Sequence, residues 1–280
     1  MNYFGIIGAG TMGTDIALMI AELGYKVFLH DIDGQKLTEA RGKIEDRMNR
    51  YEQEGRITLR EKGEILGRIE MQTDMAPVSK VDVVIECVTE DLEIKREVFR
   101  RLDELCRPGV LLASNTSSKS ITAIASATKR PESVIGMHFM NPVRVMQLVE
   151  IVCGLATTRE SFEMAKQIVK KCKKKHVEAQ DFPGFLANRI LMPMINEAIF
   201  ALYEGAGTVE AIDLAMRLGM NQRMGPLQLA DLIGLDIVLA VIEELYRGFG
   251  DTKYRPCPLL KNYVAAGYLG KKSGRGFYTY

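Results

Sequence analysis

Histidine is scarce in this chain, cysteine is never clustered, and net charge is nearly zero. Each shortage removes a class of function. Three histidines occur in 280 residues, His30, His138 and His176, far apart in the chain, so the sequence offers no metal-binding cluster. Formal net charge is +1, from 37 basic and 36 acidic residues; no global field favours nucleic acid or an anionic membrane. The five cysteines (Cys87, Cys106, Cys153, Cys172, Cys257) are odd in number and show no CxxC spacing. They read as reduced, mostly buried thiols of a cytoplasmic protein. No apolar run approaches membrane-spanning length. Met1-Asn2-Tyr3 leads directly into an apolar strand, so no leader peptide is expected. What remains is an ordinary globular composition, 47% hydrophobic and 26% charged, in a chain long enough for one large domain or two.

The first thing present is a strand–turn–helix signature. Tyr3-Phe4-Gly5-Ile6-Ile7 is a short apolar strand, and Gly8-Ala9-Gly10-Thr11-Met12-Gly13 follows it directly. Ile16, Ala17, Met19, Ile20 and Leu23 then recur at helical spacing, and Val27-Phe28-Leu29-His30-Asp31 is a second strand ending in an acid. A bare GxGxxG is weak evidence; with a strand before it, a helix after it and an acid 18 residues past its last glycine, it is a strong dinucleotide signal. Gly8 permits the tight turn, Gly10 lets a pyrophosphate approach the backbone, and Gly13 lets helix and strand pack closely. The helix N-terminus, beginning at Thr11 and Met12, offers N–H groups to phosphate. Asp31 suits a ribose 2′-hydroxyl and repels a 2′-phosphate, and no arginine follows it in Ile32-Asp33-Gly34-Gln35, so NAD is expected over NADP. Asp15, an acid near that diphosphate, is expected to point to solvent.

Residues 35–70 are highly charged, with Leu37, Ala40, Ile44 and Met48 on one helical face, and predict a helical hairpin turning near Gly55. Most of its charges read as a solvated surface, with an arginine such as Arg50 available to a phosphorylated substrate tail. Val81 to Cys87 is the next buried strand, Glu90 lies in the loop after it, and Leu92 to Cys106 predicts a helix with Ile94, Val98, Leu102 and Leu105 inward. Val110 to Ala113 is a strand ending in Ser114-Asn115-Thr116-Ser117-Ser118, a hydroxyl cluster able to serve as an N-cap or as substrate ligands.

His138 ends the apolar run Val134 to Met137, where a parallel sheet delivers side chains to its C-terminal crevice. Glu150 lies in a second apolar run, Gln147 to Val152, where an ionised group is costly unless paired. An imidazole held by a buried carboxylate is a proton carrier near neutral pH. Further on, Thr157-Thr158-Arg159-Glu160 reads as a capping box opening a helix that ends in the basic run Lys170 to Lys175, taken as solvated charge that complements the helix dipole. His176 begins a last strand and reads as structural. Beyond Asp181-Phe182-Pro183-Gly184 the pattern is helical: 185–204, 209–218, 226–232, 235–249 and 259–266. The first of these helices is apolar on nearly all sides and must be buried, which implies a homodimer through this domain. Asn188 is the uncharged polar residue near its start.

Taken together, Gly8 to Gly13, Ser114 to Ser118, His138-Phe139-Met140-Asn141-Pro142-Val143, Leu148-Val149-Glu150, Pro183 to Arg189, Met224-Gly225-Pro226-Leu227 and Lys272 to Tyr278 resemble the motifs of L-3-hydroxyacyl-CoA dehydrogenases, and most of all the short bacterial 3-hydroxybutyryl-CoA dehydrogenases. The resemblance spans essentially the whole chain. It implies an α/β fold: a Rossmann-type, mostly parallel sheet domain over 1–182 that binds NAD, then an all-α dimerisation and substrate domain over 183–280. It implies that His138 is the acid/base and Glu150 its partner, with Ser117 and Asn188 at the reacting oxygen or thioester, and no metal. Asp31, Glu90, Lys95, Ser117 and Asn141 would line the NAD site with the glycine loop, and the substrate would be a short 3-hydroxyacyl-CoA or 3-ketoacyl-CoA thioester. Three departures stand out: Met140 where an aromatic is common, Gln228 for a frequent glutamate, and Glu54 for a lysine thought to touch CoA. A gulonate-type sugar-acid dehydrogenase on the same scaffold is the alternative enzyme, and a crystallin-like structural protein the alternative of another class.

Overall fold

The computed structural model describes residues 2–280, which divide into two compact units, the first ending at Asp181 and the second Phe182–Tyr280. In the first unit the elements run β1 (Tyr3–Ile7), α1 (Thr11–Glu22), β2 (Lys26–His30), α2 (Gly34–Gln53), α3 (Leu59–Gly67), β3 (Ile69–Gln72), β4 (Val83–Glu86), α4 (Leu92–Leu105), β5 (Leu111–Ser114), α5 (Ile121–Ala125), β6 (Val134–Phe139), β7 (Leu148–Cys153), α6 (Arg159–Lys171) and β8 (Lys175–Gln180). The strands form one eight-stranded sheet in the order β3-β2-β1-β4-β5-β6-β7-β8. Neighbours pair in parallel except β6 with β7. The exception follows from chain length: residues 140–147 are too few for a crossover, which takes a dozen residues or more, so β7 must return antiparallel. β4, β5 and β6 are buried along their whole length, as strands covered on both faces must be.

The helical hairpin forms as expected, with Leu37, Ala40, Ile44 and Met48 buried along α2 and Gly55 in the left-handed region at the turn (φ 67°). α3 opens on a capping box, Thr58 with Glu61. The box expected at Thr157–Glu160 does not form: Thr158 is the N-cap and Ser161 supplies the N–H, while the Thr157 hydroxyl donates to the Val134 carbonyl (2.7 Å). β3, unanticipated, is an edge strand whose Ile-Glu-Met-Gln sequence alternates half-buried with exposed, too short and polar to stand out. α4 also turns differently from its apolar pattern. Lys95, Phe99 and Leu102 face inward, and Ile94 is 46% exposed, because a buried carboxylate on β4 draws the Lys95 ammonium under the helix.

The second unit is all helical: α7 (Ala187–Tyr203), α8 (Val209–Leu214), α9 (Pro226–Ile233), α10 (Leu235–Phe249) and α11 (Pro258–Ala265). α8 is shorter than its pattern, and a wider π turn carries the chain from Ala215 to Gly219. The core gathers Ile195, Ile199, Leu227, Leu235, Val238, Ile242, Leu245 and Leu260. α7 is not buried all round within the single chain: Ile195 and Ile199 are, but Ile190 is 71% exposed. Two buried aspartates fasten this unit. Asp213 accepts from the Leu227 and Gln228 amides at the start of α9 and from the Tyr278 hydroxyl, at 2.8–2.9 Å. Asp231 accepts from the Phe277 and Tyr278 amides and the Tyr280 hydroxyl, at 2.9–3.2 Å. No helix among the described residues is long and apolar enough to cross a membrane.

Candidate active site

The register of β6 against β7 sets His138 directly opposite Glu150. Opposed residues of an antiparallel pair project from the same face, and here Nδ1 of the imidazole lies 2.8 Å from Oε2 of the carboxylate. Glu150 is fully buried and His138 nearly so. A buried carboxylate accepting from Nδ1 sets the tautomer and the orientation of the ring. The two ends of the loop joining these strands are tied down. At its start the Phe139 amide donates to the Asn115 side chain (2.9 Å). Further along, Lys174 donates to the Val143 and Met146 carbonyls (2.5 and 2.6 Å), and Arg144 pairs with Glu22 on α1. Lys174 is therefore no solvated member of a basic run, and burial pulls its pKa below the ordinary value. Asn141 opens the loop, joined to Pro142 by a cis peptide bond. His176 packs edge-on against Phe162, with ring centroids 6.1 Å apart.

The glycine turn has the geometry a dinucleotide needs. Gly8 adopts φ 106°, and a Cβ there would lie 2.6 Å from the Cys87 carbonyl oxygen. A Cβ on Gly13 would come within 1.8 Å of the Gly8 carbonyl, whereas beyond Gly10 nothing lies within 4 Å. The turn is thus closed behind and open in front, with Thr11 and Met12 in the first turn of α1. The Asp31 carboxylate accepts from the Ala9 amide (2.9 Å) and the Asp33 amide (3.1 Å), which aims it at the mouth of the turn. In front lies a cavity of about 540 Å³ walled by Gly8, Gly10, Met12, Asp31, Val88 and Ile94. Its apolar walls and acid at one edge fit an adenosine held through its ribose hydroxyls. Lys36 also lines this cavity. It is the residue directly after Ile32-Asp33-Gly34-Gln35, the stretch without an arginine.

A third cluster joins the ends of β4 and β5. Glu86 is fully buried and Lys95 1% exposed. Glu86 accepts from Lys95 Nζ (2.8 Å), the Val88 amide (2.7 Å) and the Ser114 hydroxyl (2.6 Å). Lys95 also reaches Glu90 (3.3 Å), and Glu90 accepts from the Thr116 hydroxyl (2.8 Å), the Ser117 amide (2.7 Å) and the Ser117 hydroxyl (3.2 Å). Burial alone would lower the Lys95 pKa, but the two carboxylates outweigh it and hold the ammonium above its ordinary range. Burial pushes Glu90 up, while Lys95 and the Ser117 and Thr116 hydrogen bonds bring it below the usual carboxylate value. Sequence reasoning named Glu90, Lys95 and Ser117, took Ser114 only as part of the hydroxyl cluster, and missed Glu86. An acid directly after the apolar run Val83-Val84-Ile85 was the available signal.

Arg50 borders a separate cavity of about 340 Å³ with Thr11, Asp15, Lys43 and Arg47. Asp15 does not point to solvent as expected. It pairs with Arg47 at 2.7 Å and is largely covered, because a cation on α2 compensates it better than water screens it against the helix start. Glu54 pairs with Arg56 (2.8 Å) at the hairpin tip. The structure thus joins His138 to Glu150, Lys95 to Glu90 to Ser117, and the glycine turn to Asp31. Asn188 belongs to the second unit, in the first turn of α7.

Two family models cover the chain. Residues 4–182 match the NAD binding domain of 3-hydroxyacyl-CoA dehydrogenase, and residues 184–280 match its C-terminal domain. The chain is 49% identical over 275 residues to a probable 3-hydroxybutyryl-CoA dehydrogenase of Bacillus subtilis, covering 98% of this chain and 96% of that one. It is 48% identical over 276 residues to the 3-hydroxybutyryl-CoA dehydrogenase of Bradyrhizobium diazoefficiens, covering 99% and 94%. Among solved structures, the (S)-3-hydroxybutyryl-CoA dehydrogenase of Ralstonia eutropha superposes with a TM-score of 0.96 at 43% identity, over 100% of this chain and 99% of that one.

Proposed function

The chain belongs to the 3-hydroxyacyl-CoA dehydrogenase family, and on that footing we propose that it interconverts short (S)-3-hydroxyacyl-CoA and 3-ketoacyl-CoA thioesters, of the size of 3-hydroxybutyryl-CoA and acetoacetyl-CoA, with NAD as the redox partner. The observation that carries this reading is the in-register pair His138–Glu150, Nδ1 to Oε2 at 2.8 Å, in the same unit as a dinucleotide-shaped glycine turn. When bound, NAD would supply the acceptor, and NADH the donor, for the hydride exchanged at C3 of the substrate. The residues that would hold it are Gly8, Gly10, Thr11, Met12 and Gly13 at the pyrophosphate, Asp31 at the adenosine ribose, and Glu90, Lys95, Ser117 and Asn141 toward the reacting end.

In the oxidation His138 removes the 3-hydroxyl proton at Nε2, and Glu150 stabilises the imidazolium through Nδ1. In the reduction the same imidazolium returns the proton to the forming alkoxide. Ser117 and Asn188 orient the oxygen of the substrate, which matters because a misplacement of ~1 Å can cost ~100-fold in rate. Arg50 is assigned to the substrate's phosphorylated tail. The cofactor is held on residues 1–182, and residues 183–280 supply dimerisation and, through Asn188, a further substrate contact. Ile190, Leu218 and Met220, each more than two-thirds exposed in the single chain, support a homodimer through the helical unit, to be checked by analytical ultracentrifugation. Five cysteines, none in a disulfide, fit a reducing, cytoplasmic setting.

The test is His138→Gln. Turnover of acetoacetyl-CoA should fall by about 10²–10⁴-fold, the usual worth of general acid–base catalysis, while NADH still binds. Near-normal turnover would contradict the assignment.

A further inference from the structure

His138 and Glu150 are one buried pair of the first unit, and a second, equally hidden from water, lies elsewhere. Glu86 stands at the end of β4 with no exposed surface, and Lys95 pairs with it from below α4. Charges removed from water this completely are costly unless paired, and such a pair often adds no net stability over apolar side chains of equal volume. Its geometry indicates a different use.

Lys95 has three protons and two carboxylates within reach. The short contact, 2.8 Å, goes to Glu86, while Glu90 is held at 3.3 Å. With Lys95 drawn mainly to Glu86, the Oε1 atom of Glu90 is left to Ser117, accepting both its amide and its hydroxyl. Glu86 also ties the two loops that must meet. Its Oε1 takes the Val88 amide, which starts the loop bearing Glu90, and its Oε2 takes the Ser114 hydroxyl, three residues before Ser117. Apart from Lys95, which comes from α4, the groups of this network lie at or just past the C-terminal ends of two adjacent parallel strands, β4 and β5, where small shifts of either loop would separate Glu90 from Ser117.

We propose that Glu86 is a positioning residue for the dehydrogenase reaction: by engaging Lys95 and bridging the β4 and β5 loops, it holds Glu90 in place to orient Ser117. The inference rests on the reading of Ser117 as a residue at the reacting oxygen. Without the Glu86 charge, Glu90 becomes the sole counter-ion of Lys95 and swings toward it, releasing the Ser117 amide and hydroxyl.

Glu86→Gln and Ser117→Ala, alone and combined, test this. Glu86→Gln should lower kcat/KM by roughly 10- to 100-fold, and the double variant should be no worse than Ser117→Ala alone, since residues acting through one another are non-additive. Hydrogen exchange of the peptide spanning 114–118 in the NAD-free protein should speed up in Glu86→Gln while β1 and β2 stay protected. If the two rate losses multiply, or the exchange of that peptide is unchanged, the inference fails and the Ser117 reading survives. If Ser117→Ala keeps full activity, both fall together. Should Glu86→Gln not fold, the volume-matched apolar pair Glu86→Met with Lys95→Met serves instead. That pair should fold and still lose rate and 114–118 protection; full rate in it would mean the ion pair only packs the interior.

Discussion

Both units bury acids, but they satisfy them differently. In the helical unit Asp213 and Asp231 are met by backbone amides and by tyrosine hydroxyls, Tyr278 and Tyr280. None of these partners changes charge near neutral pH, so the acids act as fasteners that join α8, α9 and the segment 277–280. In the sheet unit Glu150 meets an imidazole and Glu86 meets an ammonium. The partners there are ionisable side chains, His138 near the end of β6 and Lys95 on α4. The difference teaches that burial of a carboxylate does not by itself mark chemistry; the kind of partner does.

Substitutions can break that distinction or sharpen it. The largest effect after His138 itself is expected at its partner. Glu150→Gln should cost about 100-fold or more in kcat, as loss of the orienting carboxylate does in other acid–base pairs, with NADH affinity retained in a fluorescence titration. An unimpaired kcat would remove Glu150 from the chemistry and erase the contrast. Next comes Asp231→Asn, which leaves a buried amide facing an N–H donor and should destabilise by about 1–3 kcal/mol in chemical denaturation. Its kcat per folded molecule should stay at the parent value; a rate loss without a stability loss would put Asp231 in the wrong class.

Acid should act on Asp231 and on Glu90 with opposite sign. Burial holds the Asp231 pKa above its ordinary 3.8, so the native state takes up a proton that the unfolded chain releases. Its contribution to stability therefore grows as pH falls through the folded value and is lost as pH rises. Glu90 is shifted below its ordinary 4.5 despite burial, by Lys95 and its hydrogen bonds. Its contribution is complete above that value and disappears as pH falls through the lower folded one. The Tm gap between parent and Asp231→Asn should widen from pH 7 towards pH 4, and the gap to Glu90→Gln should narrow below about pH 4.5. Parallel trends would refute this.

A smaller effect, about tenfold, is expected at the cofactor edge. Asp31→Ala should relax the preference for NADH over NADPH, because a 2′-phosphate is then no longer opposed, and adding Lys36→Ala should reverse most of that gain. An unchanged cofactor ratio would take Asp31 out of the role. The smallest is Thr58→Ala, which removes one half of the capping box on α3 and should cost ~1 kcal/mol without touching kcat. That outcome would show that the partner's chemistry, and not the unit a residue sits in, separates fastener from machinery.

Much of this was readable before folding. The hairpin face, the glycine turn and the span of α10 follow from local periodicity and from glycine's freedom at Gly8. The inward turn of Lys95 was not readable, since a helix with Ile94 and Val98 available has no local reason to bury an ammonium. Nor was the pairing of Asp15 with Arg47, on helices 32 residues apart in the chain. Thr157–Glu160 looked as good a capping box as Thr58–Glu61, and only the demand of the Val134 carbonyl for the Thr157 hydroxyl separated them.

By itself the sequence determined the element types, the dinucleotide turn and the presence of an imidazole and an acid in two apolar runs, because periodicity and steric freedom act over a few residues. Only the tertiary structure decided that those runs lie antiparallel with His138 opposite Glu150, and that Glu86, Lys95, Glu90 and Ser117 form one chain of contacts. Strand register and buried charge pairing are settled by partners distant in the chain, and no local pattern can encode which partner arrives.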